Sequence, residues 1–272
     1  RPCAATVAEE ALAWLVAHDP GGAMRVRHLL ATLYRRLDDL DAAIAQLEIM
    51  AADRAGAGDQ AGLAELTEDI ADLLDRLDRD DLAAQRYAAA ALGYAAAGRA
   101  LDQTRASRRY ATSLLWSGDV AAAQAALAEA ERLAGALDPD AGTGGGDDQA
   151  RRVAWERALL GYDGARILGR AGRLAEATER AGAALARFRL VPAPVQAAHA
   201  GGVLADLLLR AGDLVAAERA ARAALGTLPD QGPGRPALAA TLAEVLQAQG
   251  RAGEADAVRR EHGVAAEPDE PD

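Results

Sequence analysis

Leu204–Pro229, LADLLLRAGDLVAAERAARAALGTLP, sets the plan of the whole chain. Leu204, Leu208 and Leu209 fall at helical spacing and run into Ala211-Gly212-Asp213. A second amphipathic run then begins at Leu214 and stops at Pro229. The stretch predicts a helix, a tight turn and an antiparallel helix.

Counting from Gly212, Ala205 stands in the first helix and Ala217 in the second. The same count around Asp38, Asp78, Gly118, Gly172 and Gly250 finds Ala31, Ala71, Ala111, Ala165 and Ala243 in the first helices, and Ala43, Ala83, Ala123, Ala177 and Ala255 in the second. Three of the five intervals between these turn residues are 40 residues. An unbroken double column at a fixed period of that size is the mark of a stacked repeat array. Its packing reason is that two helices can approach to roughly 8 Å only where the side chains at the crossing are small. Leu30, Ile70, Leu204 and Leu242, with Tyr34, Leu74, Leu114, Leu168, Leu208 and Leu246 four residues further on, are the larger core residues expected to fill the seams between units.

Over nearly its whole length the chain resembles the tetratricopeptide repeat (TPR) family. Leu30-Ala31, Tyr34 and Ala43, and Leu204-Ala205, Gly212, Ala217 and Pro229, follow the family pattern. The helix A Trp is absent, Asp38 and Asp78 replace the turn Gly in two units, and the period exceeds the usual 34 residues. Units of this length resemble those in TPR domains of bacterial peptide sensors and multidomain regulators. The resemblance implies an all-α, right-handed α-solenoid of helix-turn-helix repeats.

Composition agrees with that class. Of 272 residues 51% are hydrophobic but only 3% aromatic, so each seam should be thin. No stretch alternates with the period of a strand. A net charge of −11 disfavours nucleic acid and anionic membranes as partners. The single cysteine, Cys3, allows no internal disulfide and fits a reducing cytoplasm. No apolar run approaches the ~20 residues of a membrane span.

The chain divides into an N-terminal half-repeat or capping helix (1–22), three repeats (23–137), a Gly/Asp-rich insertion (138–148), three more repeats (149–262) and an acidic tail (263–272) expected to be disordered. The insertion has neither the Lys nor the preceding strand of a phosphate-binding loop. Trp14 and Trp155 lie on apolar faces and read as core residues. The four histidines fall on different units with no paired spacing, there is no Gly-x-Ser-x-Gly elbow, and Asp75–Asp81 lacks calcium-loop spacing. The chain is read as not an enzyme and as carrying no cofactor.

The TPR resemblance implies a concave wall lined by helix A side chains facing away from the alanine column. That wall would carry Arg25, His28, Thr32 and Arg35 in the first unit, and Glu65, Glu68, Asp72 and Asp75 in the second. Arg105, Arg108, Arg109, Thr112 and Trp116 follow in the third, Tyr162, Asp163, Arg166 and Arg170 in the fourth, and His199 and Asp206 in the fifth. Two readings stay open. In one the charges pair across units, Arg35 with Asp72 and Asp75 with Arg108, as solvated ion pairs. In the other the arginine excess of the third and fourth units, beside Trp116 and Tyr162, clamps an acidic peptide or a chain terminus, since Arg forks bind carboxylates bidentately. The expected function is a scaffold binding a protein or peptide segment; the alternative is a ligand-sensing domain of a larger bacterial regulator, an ATPase or transcription factor. An unfilled terminal seam could also pair with a second copy.

Overall fold

A computed structural model describes residues 4–138, 146–191, 193–229 and 232–264. These residues form thirteen α-helices, and no strand occurs among them. The chain folds as two compact units, Arg1–Leu137 and Asp138–Asp272. The first holds α1 (Ala4–His18), α2 (Pro20–Arg36), α3 (Leu40–Gly56), α4 (Gln60–Arg76), α5 (Asp80–Ala96), α6 (Ala100–Trp116) and α7 (Val120–Ala136). The second holds α8 (Gly146–Arg170), α9 (Leu174–Leu190), α10 (Pro194–Arg210), α11 (Leu214–Leu225), α12 (Arg235–Ala248) and α13 (Ala252–His262). Within each unit every helix packs mainly on its neighbours in sequence, and α10 also touches α8 and α12. This is the all-α solenoid expected from the repeat period.

The length of the unit has a simple origin. Helices α2 through α7 are each 17 residues long, about 25 Å at 1.5 Å per residue, and three-residue turns join them. The added residues relative to a standard TPR therefore lengthen both helices and leave the turns short. The middle turn residue is left-handed at evenly spaced positions: Asp38, Gly58, Asp78, Gly98 and Gly118. The next amide closes each helix by donating back to the last turn, as Asp39 N–H does to the Tyr34 carbonyl (2.9 Å) and Asp213 N–H to that of Leu208 (3.0 Å). Asp39, Asp119 and Asp213 then cap the following helix through their side chains. Arg79, Arg173 and Arg251 occupy the same place in the alternate units and make ion pairs instead of caps.

Both alanine columns are buried. Ala43, Ala83, Ala123, Ala177, Ala217 and Ala255 are all fully enclosed, and in the first helices only Ala31 shows a trace of exposure. Of the larger seam residues, Leu30, Ile70, Leu74, Leu168, Leu242 and Leu246 are buried, whereas Tyr34, Leu114, Leu204 and Leu208 are half-buried. The largest enclosed side chains are Tyr87, Tyr94 and Phe188, all on second helices.

Three expectations need adjustment. Trp14 is not a core residue: it is 61% exposed and stacks on His18 with ring centroids 4.4 Å apart. Its face of α1 points away from the Ala5 and Ala8 stripe that packs on Leu30 of α2. Trp155 is half-buried, edge-on to Phe188. The 138–148 insertion is shorter than its composition suggested, because α8 already begins at Gly146; residues 139–145 lie outside the described residues, as do 265–272 of the tail.

Candidate partner-binding surface

The residues expected on one continuous wall fall in both compact units, and each unit presents its own surface. In the first unit the decisive side chains lie on α4 and α6, the first helices of neighbouring repeats, with α5 packed on both. Glu68 of α4, 8% exposed, accepts two hydrogen bonds from the Arg105 guanidinium of α6, Nε at 2.7 Å and Nη2 at 2.6 Å. It accepts a third from the Tyr94 hydroxyl of α5, at 2.6 Å. Arg105 is also bonded to Asp102 at 2.7 Å. One turn along, the Arg109 Nη2 donates to Asp72 (2.8 Å) and to the Tyr87 hydroxyl (2.6 Å), and lies 3.5 Å from Asp75; Tyr87 donates in turn to Asp72. At the other end Arg99 pairs with Glu65 and Asp102.

The result is a bidentate, charge-assisted lattice that ties two repeats together across three helices. Arg99 and Arg109 also lie 5.0 and 5.1 Å from the Tyr94 and Tyr87 ring centroids. The Glu68 hydrogen bonds are the chief reason the Arg105 guanidinium is held above its usual range. Burial first, and then the bond to Glu68, pushes the Tyr94 phenol up. Burial likewise raises the Tyr87 phenol.

The arrangement corrects the expected pairing: Asp72 is held by Arg109 and Tyr87, not by Arg35. Arg76 reaches Asp38 at 2.8 Å, and Arg35 acts through its charge on Asp69. Arg108, expected on the open wall, is 7% exposed and engaged in contacts of its own, so it belongs to the packing of α6. Thr112 spends its hydroxyl on the Arg108 carbonyl (3.1 Å). Still exposed on these first helices are Arg25, loosely paired with Asp19 (3.6 Å), His28, Arg35 and Trp116, which is 52% exposed.

In the second unit, Arg166 lies 5.5 Å from the Tyr162 ring and 3.6 Å from the buried carboxylate of Asp163. Burial raises the Tyr162 phenol. Arg170 at the end of α8 is exposed and has no hydrogen bond or ion pair among the described residues. Asp206 pairs within its own helix with Arg210 at 3.6 Å, and His199 is exposed.

Sequence reasoning missed Tyr87 and Tyr94 as organisers of the first cluster. The signal was present, for they are two of only five tyrosines and stand seven residues apart in an alanine-rich helix, on one face. No group of three or more His, Cys, Asp or Glu side chains among the described residues is placed to hold a metal ion. No described helix is long and apolar enough to cross a membrane.

No protein-family model matches the sequence, and no curated protein matches it significantly. Solved structures do match the fold. A tetratricopeptide repeat protein from Parabacteroides merdae superposes with a TM-score of 0.62 at 13% identity, over 96% of this chain and 87% of that one. The apo form of RapI superposes with a TM-score of 0.62 at 11% identity, over 88% of this chain and 96% of that one. The fold is that of a TPR-type α-solenoid.

Proposed function

We propose that the chain is a non-catalytic TPR-type scaffold that binds a protein or peptide segment along its helix A faces. Repeat arrays of this kind place side chains of successive units in register on one face, which suits an extended partner. The observation that carries the reading is the division of labour among the arginines. Arg105 and Arg109 are saturated by Glu68, Asp72 and Tyr87 and so hold the scaffold rigid, while Arg35 and Arg170 are exposed and make no hydrogen bond or close ion pair among the described residues. We assign contact with the partner to Arg25, His28, Arg35 and Trp116 in the first unit, and to Tyr162, Arg166 and Arg170 in the second. These cations and aromatic faces fit an acidic segment or a chain terminus.

The test is affinity capture from a lysate of the source organism with the wild type, Arg35→Glu and Arg170→Glu, identifying retained proteins by mass spectrometry. A partner lost with either charge reversal supports binding on these faces. The same partners retained by all three proteins would move the interface elsewhere.

A further inference from the structure

Six arginines of the first unit each reach a carboxylate of the preceding repeat. Arg76 at the end of α4 bonds Asp38 at 2.8 Å, and between the second helices Arg79 bonds Asp41 at 2.7 Å and Arg86 bonds Glu48 at 2.6 Å. Arg99, Arg105 and Arg109 hold Glu65, Glu68 and Asp72 between α6 and α4. All six pairs join residues 34–38 apart, so each is a link from one repeat to the next and not a contact within one helix.

The second unit closes its first-helix seams with glycine. Counted from the column alanines, Gly202 of α10 stands where α4 has Glu68, and Gly169 of α8 where α4 has Asp75. A methyl group on Gly202 would lie 2.4 Å from Leu238 Cδ2, and one on Gly169 2.7 Å from Leu207 Cδ2. Each leucine is therefore seated on the backbone of the preceding first helix, and both are buried. An ion pair, Arg251 with Glu218 at 2.8 Å, also links α13 to α11.

The two fastenings answer differently to salt. The six linking arginines keep 32–49% of their side-chain surface exposed, so solvent ions reach every pair. Between physiological ionic strength and 1 M the Debye length falls from about 8 Å to about 3 Å, the length of an ion pair itself. Repulsion among the surplus carboxylates acts over longer distances and is already screened at the lower concentration, so the further change falls on the pairs. A leucine seated on a glycine has no charge to screen. In a stacked array stability is set by contacts between neighbours, so loosening stays where the links are lost.

We propose that the chain combines a charge-fastened unit with a glycine-fastened one, a conformational device in which rising ionic strength loosens the repeats of α2–α6 and leaves those of α8–α12 closed. The inference does not depend on what binds the helix A faces, and its failure would leave that reading standing. The test is native-state hydrogen exchange with mass spectrometry on the full chain at pH 7, in 0.15 M and 1 M NaCl, with each unit serving as the other's reference. Amides of α4, α5 and α6 should exchange about tenfold faster at the higher salt, the product of small losses over six exposed pairs. Amides of α10 and α12 should change by less than about twofold. The variant Arg105→Met/Glu68→Leu/Arg109→Met/Asp72→Leu replaces two of the six links by apolar contacts. With its fold verified by circular dichroism, it should cut the response of α4–α6 to about fivefold. The proposal is overturned if both units respond alike, if α4–α6 do not exchange faster in 1 M NaCl, or if the folded variant keeps the full response of the wild type.

Discussion

Removing the Arg105 guanidinium should destabilise the first unit by about 2 kcal/mol, and the structure shows how that figure arises. Breaking a buried ion pair by deleting one partner costs roughly 3–5 kcal/mol, because the other charge is left uncompensated. Glu68 meets the condition of burial, with its side chain 11% exposed, but Arg105 is 40% exposed, so water re-enters the space it vacates. Tyr94 still donates one of the three hydrogen bonds. Solvent screening therefore takes the loss to about half of the buried limit. For a unit of this size that is a fall in Tm of about 8 °C, measured by calorimetry on the intact chain carrying Arg105→Met. The companion variant is Arg105→Met/Glu68→Leu. If the loss is the price of a stranded carboxylate, removing the carboxylate as well should recover most of it, since well-packed apolar pairs replace buried ion pairs at little or no loss. A drop below about 0.5 kcal/mol in the single variant, or a double variant no more stable than the single, would refute the assignment of the lattice as the fastener between repeats.

Two further outcomes follow from the turns and from burial. Asp78 adopts φ 54° where four of the six matching turns have glycine, so Asp78→Gly should stabilise the chain by about 0.5–1 kcal/mol in urea unfolding, whereas Asp38→Gly should gain less because it also loses the contact with Arg76. A loss on Asp78→Gly would mean that the aspartate side chain itself holds the turn. Burial holds the Asp69 carboxyl above its ordinary 3.8, against the opposing charge of Arg35 and with that of Asp72 and Glu68. A raised folded value means that this group's contribution is present below its unfolded pKa and is lost as pH rises through the folded one. Asp69→Asn should therefore stabilise the chain at pH 7 and give no gain near pH 3, and a gain independent of pH would exclude titration as its cause.

How much of this was legible in advance depends on how local the determinant is. The turns could be read because a left-handed residue followed by Asp or Arg is a local signal that recurs. The alanine columns could be read because every close helix crossing imposes the same steric demand, and the small residue it requires repeats in register. The polar face was a different matter. Glu65, Glu68, Asp72 and Asp75 face Arg99, Arg105, Arg108 and Arg109, and the sequence permits several pairings of similar Coulomb energy. Which one forms depends on the buried hydroxyls of Tyr87 and Tyr94, which reach Asp72 and Glu68 from a third helix. That choice is made by side-chain position to within an ångström, and no periodicity records it.

The sequence by itself determined the class of the protein: a chain of helical hairpins whose small residues stand wherever two helices must approach closely. Only the tertiary structure decided which arginines are consumed in holding the array together and which remain exposed, because that depends on what packs beside each guanidinium. It also decided that charges fasten one unit and glycines the first-helix seams of the other, for a seam is made by what two helices place opposite each other. Gly169 and Gly202 look like ordinary helix residues until Leu207 and Leu238 are set beside them.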